Sequence, residues 1–489
     1  MSVLEKYLYD IWKEKKFVKE LFTTDDQKIE IIDTGLQNKE TAGPDFLNAR
    51  VKIGNITFLG DIEIDSTHSD WKEHGHFLDK RFNKIILHLV ASNEKYQPFV
   101  FTRDGRKVQS ICIVDYLDGN LQTSIQNSIN SERAEKNFRL PCSGLNDKIS
   151  IKIKLSFLLE LGIERFNSKS KRILHRLKEI IYLKQMNIRE PIVRYDFGQE
   201  FFNKKFSTDE FSDKESWQQL VYEMIFEALG YSKNKDIMLK LAKAVNVKYL
   251  SRFKNEDSFQ QLAESALFNV SGLVPDKKNF DEEESSDYVR TLIEDWNKIR
   301  NKYDGPVLDA ENWHFFKLRP SNFPTIRISS GAKLLVTLLQ KDLFKNLIDL
   351  IKNEVDTGTL TYNIRNLIIM KEEGFWRDHF VFDKKSKEPI KYSIGISRAD
   401  EIIVNVLFPV LLLYFEIFPD MDSSKRIKKL FINYIQEGSN KLVNQVAAEL
   451  DLKKASKKSI NYQGMIELFR NYCIKERCLE CKIGEKIFN

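Results

Sequence analysis

The chain has 489 residues, 42% hydrophobic and 30% charged, which is enough for two or three packed domains and excludes global disorder. Lysine and arginine exceed aspartate and glutamate by 77 − 71 = 6, a mild excess that permits a nucleic-acid partner without demanding one. Twenty glycines and eleven prolines exclude a collagen-like or linker-dominated chain, and five cysteines, three of them near the end, do not read as a secreted disulfide framework.

The first element is an amphipathic helix, with Leu4, Leu8, Ile11 and Trp12 at helical spacing. This charged start has no apolar signal core, so a soluble cytoplasmic protein is expected. Lys28-Ile-Glu-Ile-Ile-Asp alternates as a strand does. Phe46 to Ile53 and Ile56 to Ile64 are β-prone runs around Gly54-Asn55, the composition of a tight hairpin turn. Ser69 to Phe82 has helical spacing of Trp71, Phe77, Leu78 and Phe82. Lys84 to Ala91 reads as a buried strand, and Pro98 to Thr102 and Val108 to Tyr116 as two more.

From Ile151 onward the pattern is helical. The main segments are Leu155 to Leu183, Trp217 to Leu229, Lys235 to Val245, Ser258 to Leu273, Tyr288 to Tyr303, Gly331 to Val355 and Arg398 to Ile417. Polar joins such as Asp276-Lys-Lys-Asn separate them. The longest apolar run, Ile402 to Phe415, contains Asn405 and Pro409 and is too short to span a bilayer, so no membrane partner is expected. The fold class is an α/β domain over residues 1–145, followed by a mainly α-helical region over 146–489.

The chemistry concentrates in Gly43-Pro-Asp45-Phe-Leu-Asn-Ala-Arg-Val-Lys-Ile-Gly-Asn-Ile-Thr-Phe-Leu-Gly60-Asp61-Ile62-Glu63-Ile64-Asp65. Asp45 opens one strand of the hairpin. On the facing strand, alternation puts Asp61, Glu63 and Asp65 on one face. Three carboxylates on one face repel each other, and a divalent cation relieves that repulsion. Oxygen-only ligands suit Mg²⁺ or Mn²⁺. Downstream, Asp70 and His74 share a helix face, as do His76 and Asp79. His74 and His76 are read either as polar decoration or as groups facing the carboxylates, donating a proton or binding the metal. His88, in an apolar strand, reads as a core histidine.

This order resembles the PD-(D/E)XK phosphodiesterase superfamily: Pro44-Asp45 heads one strand, Glu63 lies on the next, and a helix and a buried strand follow. The resemblance implies a nuclease-like α/β domain and metal-dependent cleavage of DNA or RNA, with Asp45 and Glu63 holding the metal and the Ile64 carbonyl assisting. The superfamily's lysine falls at Asp65. Its role passes to Lys72 or to a histidine, or the site is inert and the protein is a nucleic-acid-binding or protein-interaction scaffold. A third reading is a helical interaction module whose carboxylates are structural.

The segments Gly43-Pro-Asp-Phe-Leu-Asn-Ala-Arg, Gly60-Asp-Ile-Glu-Ile, Asp70-Trp-Lys-Glu-His-Gly-His and Ile85-Ile-Leu-His-Leu-Val also look like an uncharacterised bacterial family, domain of unknown function 2851. So do Glu264-Ser-Ala-Leu-Phe with Gly272-Leu, Leu318-Arg-Pro-Ser-Asn-Phe-Pro, and the Tyr472-Cys terminus.

Cys473, Cys478 and Cys481 form a second constellation, in which a Cys-x2-Cys pair has the spacing of two ligands to one tetrahedral metal. Cys142 is the expected fourth ligand, for Zn²⁺ or an iron–sulfur cluster, while Cys112 reads as core. The alternative is a set of idle buried thiols. Lys171, Arg172 and Arg176, in a basic amphipathic helix, are dense enough to track a phosphate backbone, or else form a solvated face. Arg319-Pro-Ser-Asn-Phe-Pro-Thr-Ile-Arg327, with two arginines among turn residues, reads as a loop pinned by backbone hydrogen bonds or else as a phosphate clamp.

Overall fold

The computed structural model describes residues 3–15, 17, 20–23, 27–38, 43–68, 70–92, 98–113, 116–117, 140–189, 195–231, 233–276, 282–315, 318–386, 388–438, 440–475 and 477–488. The Asp276-Lys-Lys-Asn join falls mostly outside them. So do positions 114 and 115 of the last expected strand. The chain divides into two compact units, Met1–Phe138 with Phe315–Lys317 and Arg139–His314 with Leu318–Asn489.

The first unit is built on one mixed sheet. Helix α1 (Val3–Glu14) precedes strands β1 (Leu21–Phe22), β2 (Lys28–Asp33), β3 (Leu36–Gln37), β4 (Phe46–Ile53), β5 (Ile56–Thr67), β6 (Ile85–Ser92), β7 (Phe99–Phe101) and β8 (Lys107–Cys112). Their order is β1-β2-β4-β5-β6-β8-β7, with β3 also on β4. β5, β6 and β8 run parallel, and the remaining pairs are antiparallel. Ile53 pairs with Ile56, so Gly54-Asn55 forms the expected two-residue turn. The short strands β1 and β3 are not legible in the sequence.

Alternation decides what each face of the sheet carries. Ile62 and Ile64 of β5 pack with Leu87 and Leu89 of β6 against Leu8, Ile11 and Trp12 of α1. The opposite face meets Trp71, Phe82, Ile85, Val100 and Val108. Gly60 lets β6 approach: a Cβ there would lie 2.3 Å from the Lys84 carbonyl oxygen.

The helix expected over Ser69 to Phe82 is not continuous. It consists of α2 (Asp70–Glu73) and two 3-10 turns, His76–Leu78 and Lys80–Lys84. Gly75 has φ of 77°, which ends the first turn, and the Asp79 carboxylate accepts from the Arg81 amide to cap the last. The break folds His76 back beneath the sheet.

The second unit is mainly helical. Ser150 caps α3 (Ile151–Gln185), and Asp213 caps α4 (Lys214–Leu229), each by accepting from a backbone amide in the first turn. The helix expected over Gly331 to Val355 is broken. Pro324–Leu335 runs into a π-turn at Val336–Gln340, and Leu343–Asn353 restarts after Asp342, whose φ is 49°. Two small ribbons, Met370–Lys371 with Tyr392–Ile394 and His379–Val381 with Lys384–Lys385, interrupt the helices. The apolar run ends in the helix Phe408–Ile417, most of it buried. Among the described residues no helix is long and apolar enough to cross a membrane. The segment expected to be a loop instead enters the helix Pro324–Leu335, where Arg327 is buried and donates to the Ser393 carbonyl at 2.5 Å, Asn322 Oδ1 at 2.7 Å and the Tyr231 hydroxyl at 2.8 Å.

Candidate metal centre

Glu63 and Asp65 point from β5 to the face roofed by α2 and the 3-10 turns. Asp65 is the hub. Its Oδ1 lies 3.1 Å from His74 Nδ1, and its Oδ2 lies 3.1 Å from His88 Nε2 and 3.7 Å from His76 Nε2. Glu63 Oε1 is 3.1 Å from His76 Nε2. Asp65, His74 and His76 each offer a ligand atom, and these three atoms all lie within 4.8 Å of one another, among the described residues the one such group of three or more His, Cys, Asp or Glu.

The sheet register builds this arrangement. Parallel pairing sets Glu63 beside His88 and Asp65 beside Val90, while His88 pairs with Ser110 on β8. His88 Nδ1 lies 2.9 Å from Ser110 Oγ, so one ring nitrogen is anchored and the other faces Asp65. Trp71 covers the site. Its indole N–H donates to the Phe101 carbonyl at 3.0 Å, and its ring centroid lies 5.3 Å from that of His76 and 5.1 Å from that of His88. Phe82 packs on His76 at 4.1 Å. Asp65, His76, His88 and Glu63 are buried, and only His74 is partly open to solvent.

Charge follows from these contacts. Burial alone would raise the Asp65 carboxyl, but hydrogen bonds with His74, His76 and His88 outweigh it and hold the group far below the usual carboxylate range. His88 is lowered, chiefly by burial, against the pull of Asp65. Asp65 therefore favours its anionic form and His88 the neutral ring.

The other expected ligands have partners of their own. Asp45 Oδ1 accepts from the Tyr9 hydroxyl, and its Oδ2 accepts from the Ile64 amide at 2.8 Å. The Asp45 amide in turn donates to Glu63 Oε2 at 3.2 Å, so the two acidic residues are adjacent as expected. Burial first, then the Glu63 charge, push the Asp45 carboxyl well above its usual range. Asp61 Oδ1 accepts from the Asn48 amide at 2.9 Å. It stabilises an irregularity in β4 where Asn48 has φ of 57°, and it does not join the Asp65 group. Lys72 is exposed on α2, where its charge acts on His68. The pairing of His88 with Ser110 and its turn toward Asp65 are revealed by strand register, and the parts of Tyr9 and Trp71 by the packing of α1 and α2 on the sheet.

Two arginines of the basic stretch are paired with carboxylates of the neighbouring helix. Arg172 forms a two-pronged pair with Glu227 at 2.8 and 3.0 Å. Arg176 does the same with Glu223, at 2.7 and 3.1 Å, and also reaches Glu179 at 2.7 Å. These pairs clamp α3 to α4, while Lys171 and Arg172 both remain exposed and only Arg176 is half-buried. Cys142, Cys473, Cys478 and Cys481 all belong to the second unit, whereas Cys112 is on β8 and donates to the Ala91 carbonyl at 3.3 Å.

A family model described as protein of unknown function (DUF2851) matches residues 5–198 and 203–441, most of the chain; the C-terminal cysteines lie beyond the match. No curated protein and no solved structure matches.

Proposed function

Since the chain belongs to the DUF2851 family, whose function is unknown, we propose from the site's own geometry that the sheet unit is a divalent-metal-dependent phosphodiesterase acting on DNA or RNA. The observation that carries this reading is the convergence of Asp65, His74 and His76 within 4.8 Å. Two imidazoles and a carboxylate shift the donor set away from the oxygen-only pattern suited to Mg²⁺. Mn²⁺, Zn²⁺ or Fe²⁺ suits nitrogen and oxygen together.

A bound cation of this kind lowers the pKa of a coordinated water and offsets charge on a phosphate. Asp65, oriented by His88 and Ser110, would hold such an ion together with His76 Nε2 and a nitrogen of His74, and the partly open His74 side is where a substrate phosphate would enter. Glu63, with Oε2 steadied by the Asp45 amide, turns Oε1 toward the same space and is placed to take the proton of an attacking water. The choice of phosphodiester is supported by the Pro44-Asp45 and Glu63 pairing across β4 and β5 and by the strand–strand–helix–strand order around it.

A second reading is a non-catalytic metal-bound scaffold. It is favoured by the burial of Asp65 and His76 and by an aspartate standing where the nuclease pattern has lysine. Incubating purified protein with labelled single- and double-stranded DNA and RNA, in Mg²⁺, Mn²⁺ or Zn²⁺, separates the two. Cleavage lost in His76→Ala supports the enzyme. Stoichiometric metal uptake without cleavage of any of the four substrates leaves the scaffold.

A further inference from the structure

Four of the five cysteines come together in the helical unit. Cys142, Cys473 and Cys481 share one packed core with Phe157, Leu161 and Met465, although Cys142 precedes Cys473 by more than 300 residues of chain. Cys478 lies in the 3-10 turn Cys478–Glu480, which separates the other two C-terminal cysteines. Each of the six pairs among these four sulfurs is close enough for one charge to act on the other. None of the four is in a disulfide.

Backbone amides and a lysine lie beside two of the sulfurs. The Cys481 sulfur accepts from the backbone amides of Ile483 and Gly484. Position 484 must be glycine for the chain to turn this tightly, because a Cβ there would lie 2.2 Å from the Cys478 carbonyl oxygen. Buried Lys154 places its positive charge near Cys142 while donating to the Leu450 carbonyl at 3.0 Å and to Asn146 Oδ1 at 2.5 Å. Asn146 in turn donates to the Cys142 carbonyl at 3.2 Å. Amides and an ammonium directed at sulfur favour the charged form.

We propose that Cys142, Cys473, Cys478 and Cys481 bind a thiophilic metal centre, either a zinc ion or an iron–sulfur cluster. Each sulfur that binds releases one proton to solvent. No three of these sulfurs belong to a group within 4.8 Å of one another, whereas a single tetrahedral zinc ion holds sulfurs about 3.8 Å apart, given a Zn–S bond of about 2.3 Å. Zinc therefore requires the turn to close around it, while a cluster accepts a wider set. The centre ties the C-terminal turn to the segment that leads into α3. This inference is independent of the sheet site, which uses nitrogen and oxygen.

The test is X-ray absorption and metal analysis on full-length protein purified without oxygen, then repeated after reconstitution with Zn²⁺, or with Fe²⁺ and sulfide. A shell of sulfur at about 2.3 Å is expected, beside the nitrogen and oxygen shell of any metal taken up at the sheet site. Colourless protein whose zinc has sulfur neighbours, or brown protein containing iron and sulfide, each supports the four-thiolate centre and identifies it. Cys142→Ser and Cys473→Ser should each lose the sulfur-ligated metal, and Cys112→Ser should keep it. Where a serine variant does not fold, thiol labelling of the wild type decides. Four thiols should be protected in loaded protein and become reactive as a chelator removes the metal. A metal with no sulfur neighbours, no metal after reconstitution, a Cys478–Cys481 disulfide in its place, or thiols whose reactivity ignores the chelator overturns the proposal.

Discussion

The sheet site and the cysteine cluster are assembled in opposite ways. At the sheet site every principal group falls between Glu63 and Ser110: parallel register of β5, β6 and β8 brings Glu63, Asp65, His88 and Ser110 together, and the helix break at Gly75 returns His74 and His76 to them. At the cysteine cluster, Cys142 comes from the segment before α3 and the other three from the last turns, so the tertiary fold alone makes the meeting. A locally registered site exists once its sheet exists. A site closed by distant chain segments lowers the entropy of the unfolded chain when a metal fills it, so its occupancy should appear in global stability.

The largest expected effect breaks the local side. Asp65→Ala removes the carboxylate that three histidines share, so metal uptake at the sheet site should be abolished, with cleavage lost alongside it; calorimetric metal titration checks this. On the distant side, stripping metal from the cysteines should lower unfolding free energy by about 4 kcal/mol when the free metal had stood near 1,000 times its Kd. Urea melts with and without chelator measure it. A melt that does not move would mean the thiols are idle.

Arg176→Ala tests whether the basic helix is clamp or nucleic-acid track. Glu223 is 1% exposed, and leaving it without its guanidinium partner should cost about 3 kcal/mol of stability. Nucleic-acid affinity, read by fluorescence anisotropy, should not change. His88→Ala is subtler. It removes an orienting partner of Asp65, not a ligand, so metal affinity should fall about 10- to 100-fold.

How much of this was legible in the sequence depends on the range of the interaction. The hairpin around Gly54-Asn55, the buried β6 strand and the long helix α3 follow from alternation and helical spacing, which are local. The carboxylate cluster was legible as residue types at a spacing. Its donor set was not, because Gly75 breaks the expected helix and delivers His76 to Glu63 and Asp65. Asp65 reads in sequence as an interruption of a nuclease pattern; in the fold it is the residue the histidines surround. Asp61 shares the alternation but is occupied by the Asn48 amide, a consequence of an irregularity that no spacing reveals. Likewise Arg172 and Arg176 read as a basic face because their carboxylate partners lie about 50 residues away on α4.

The smallest effect concerns Asp45. Its carboxyl is raised above the ordinary 3.8, so the folded state retains a proton that the unfolded state has released. The associated stability is complete below about 3.8 and is lost as pH rises through the folded value. Asp45→Asn keeps an acceptor for the Ile64 amide and has no such dependence. The variant should match or exceed wild-type stability at neutral pH by less than about 1 kcal/mol and lose that advantage toward pH 4. Paired thermal melts across pH read the difference. Loss of metal at the sheet site in this variant would make Asp45 a ligand after all.

The most direct test of the sheet site is anomalous diffraction from crystals grown with Mn²⁺ or Zn²⁺. The account predicts one peak among Asp65 Oδ1 or Oδ2, a nitrogen of His74 and His76 Nε2, each about 2.0–2.2 Å away. An absent peak, or one bound only by Asp45 and Asp61, would contradict it.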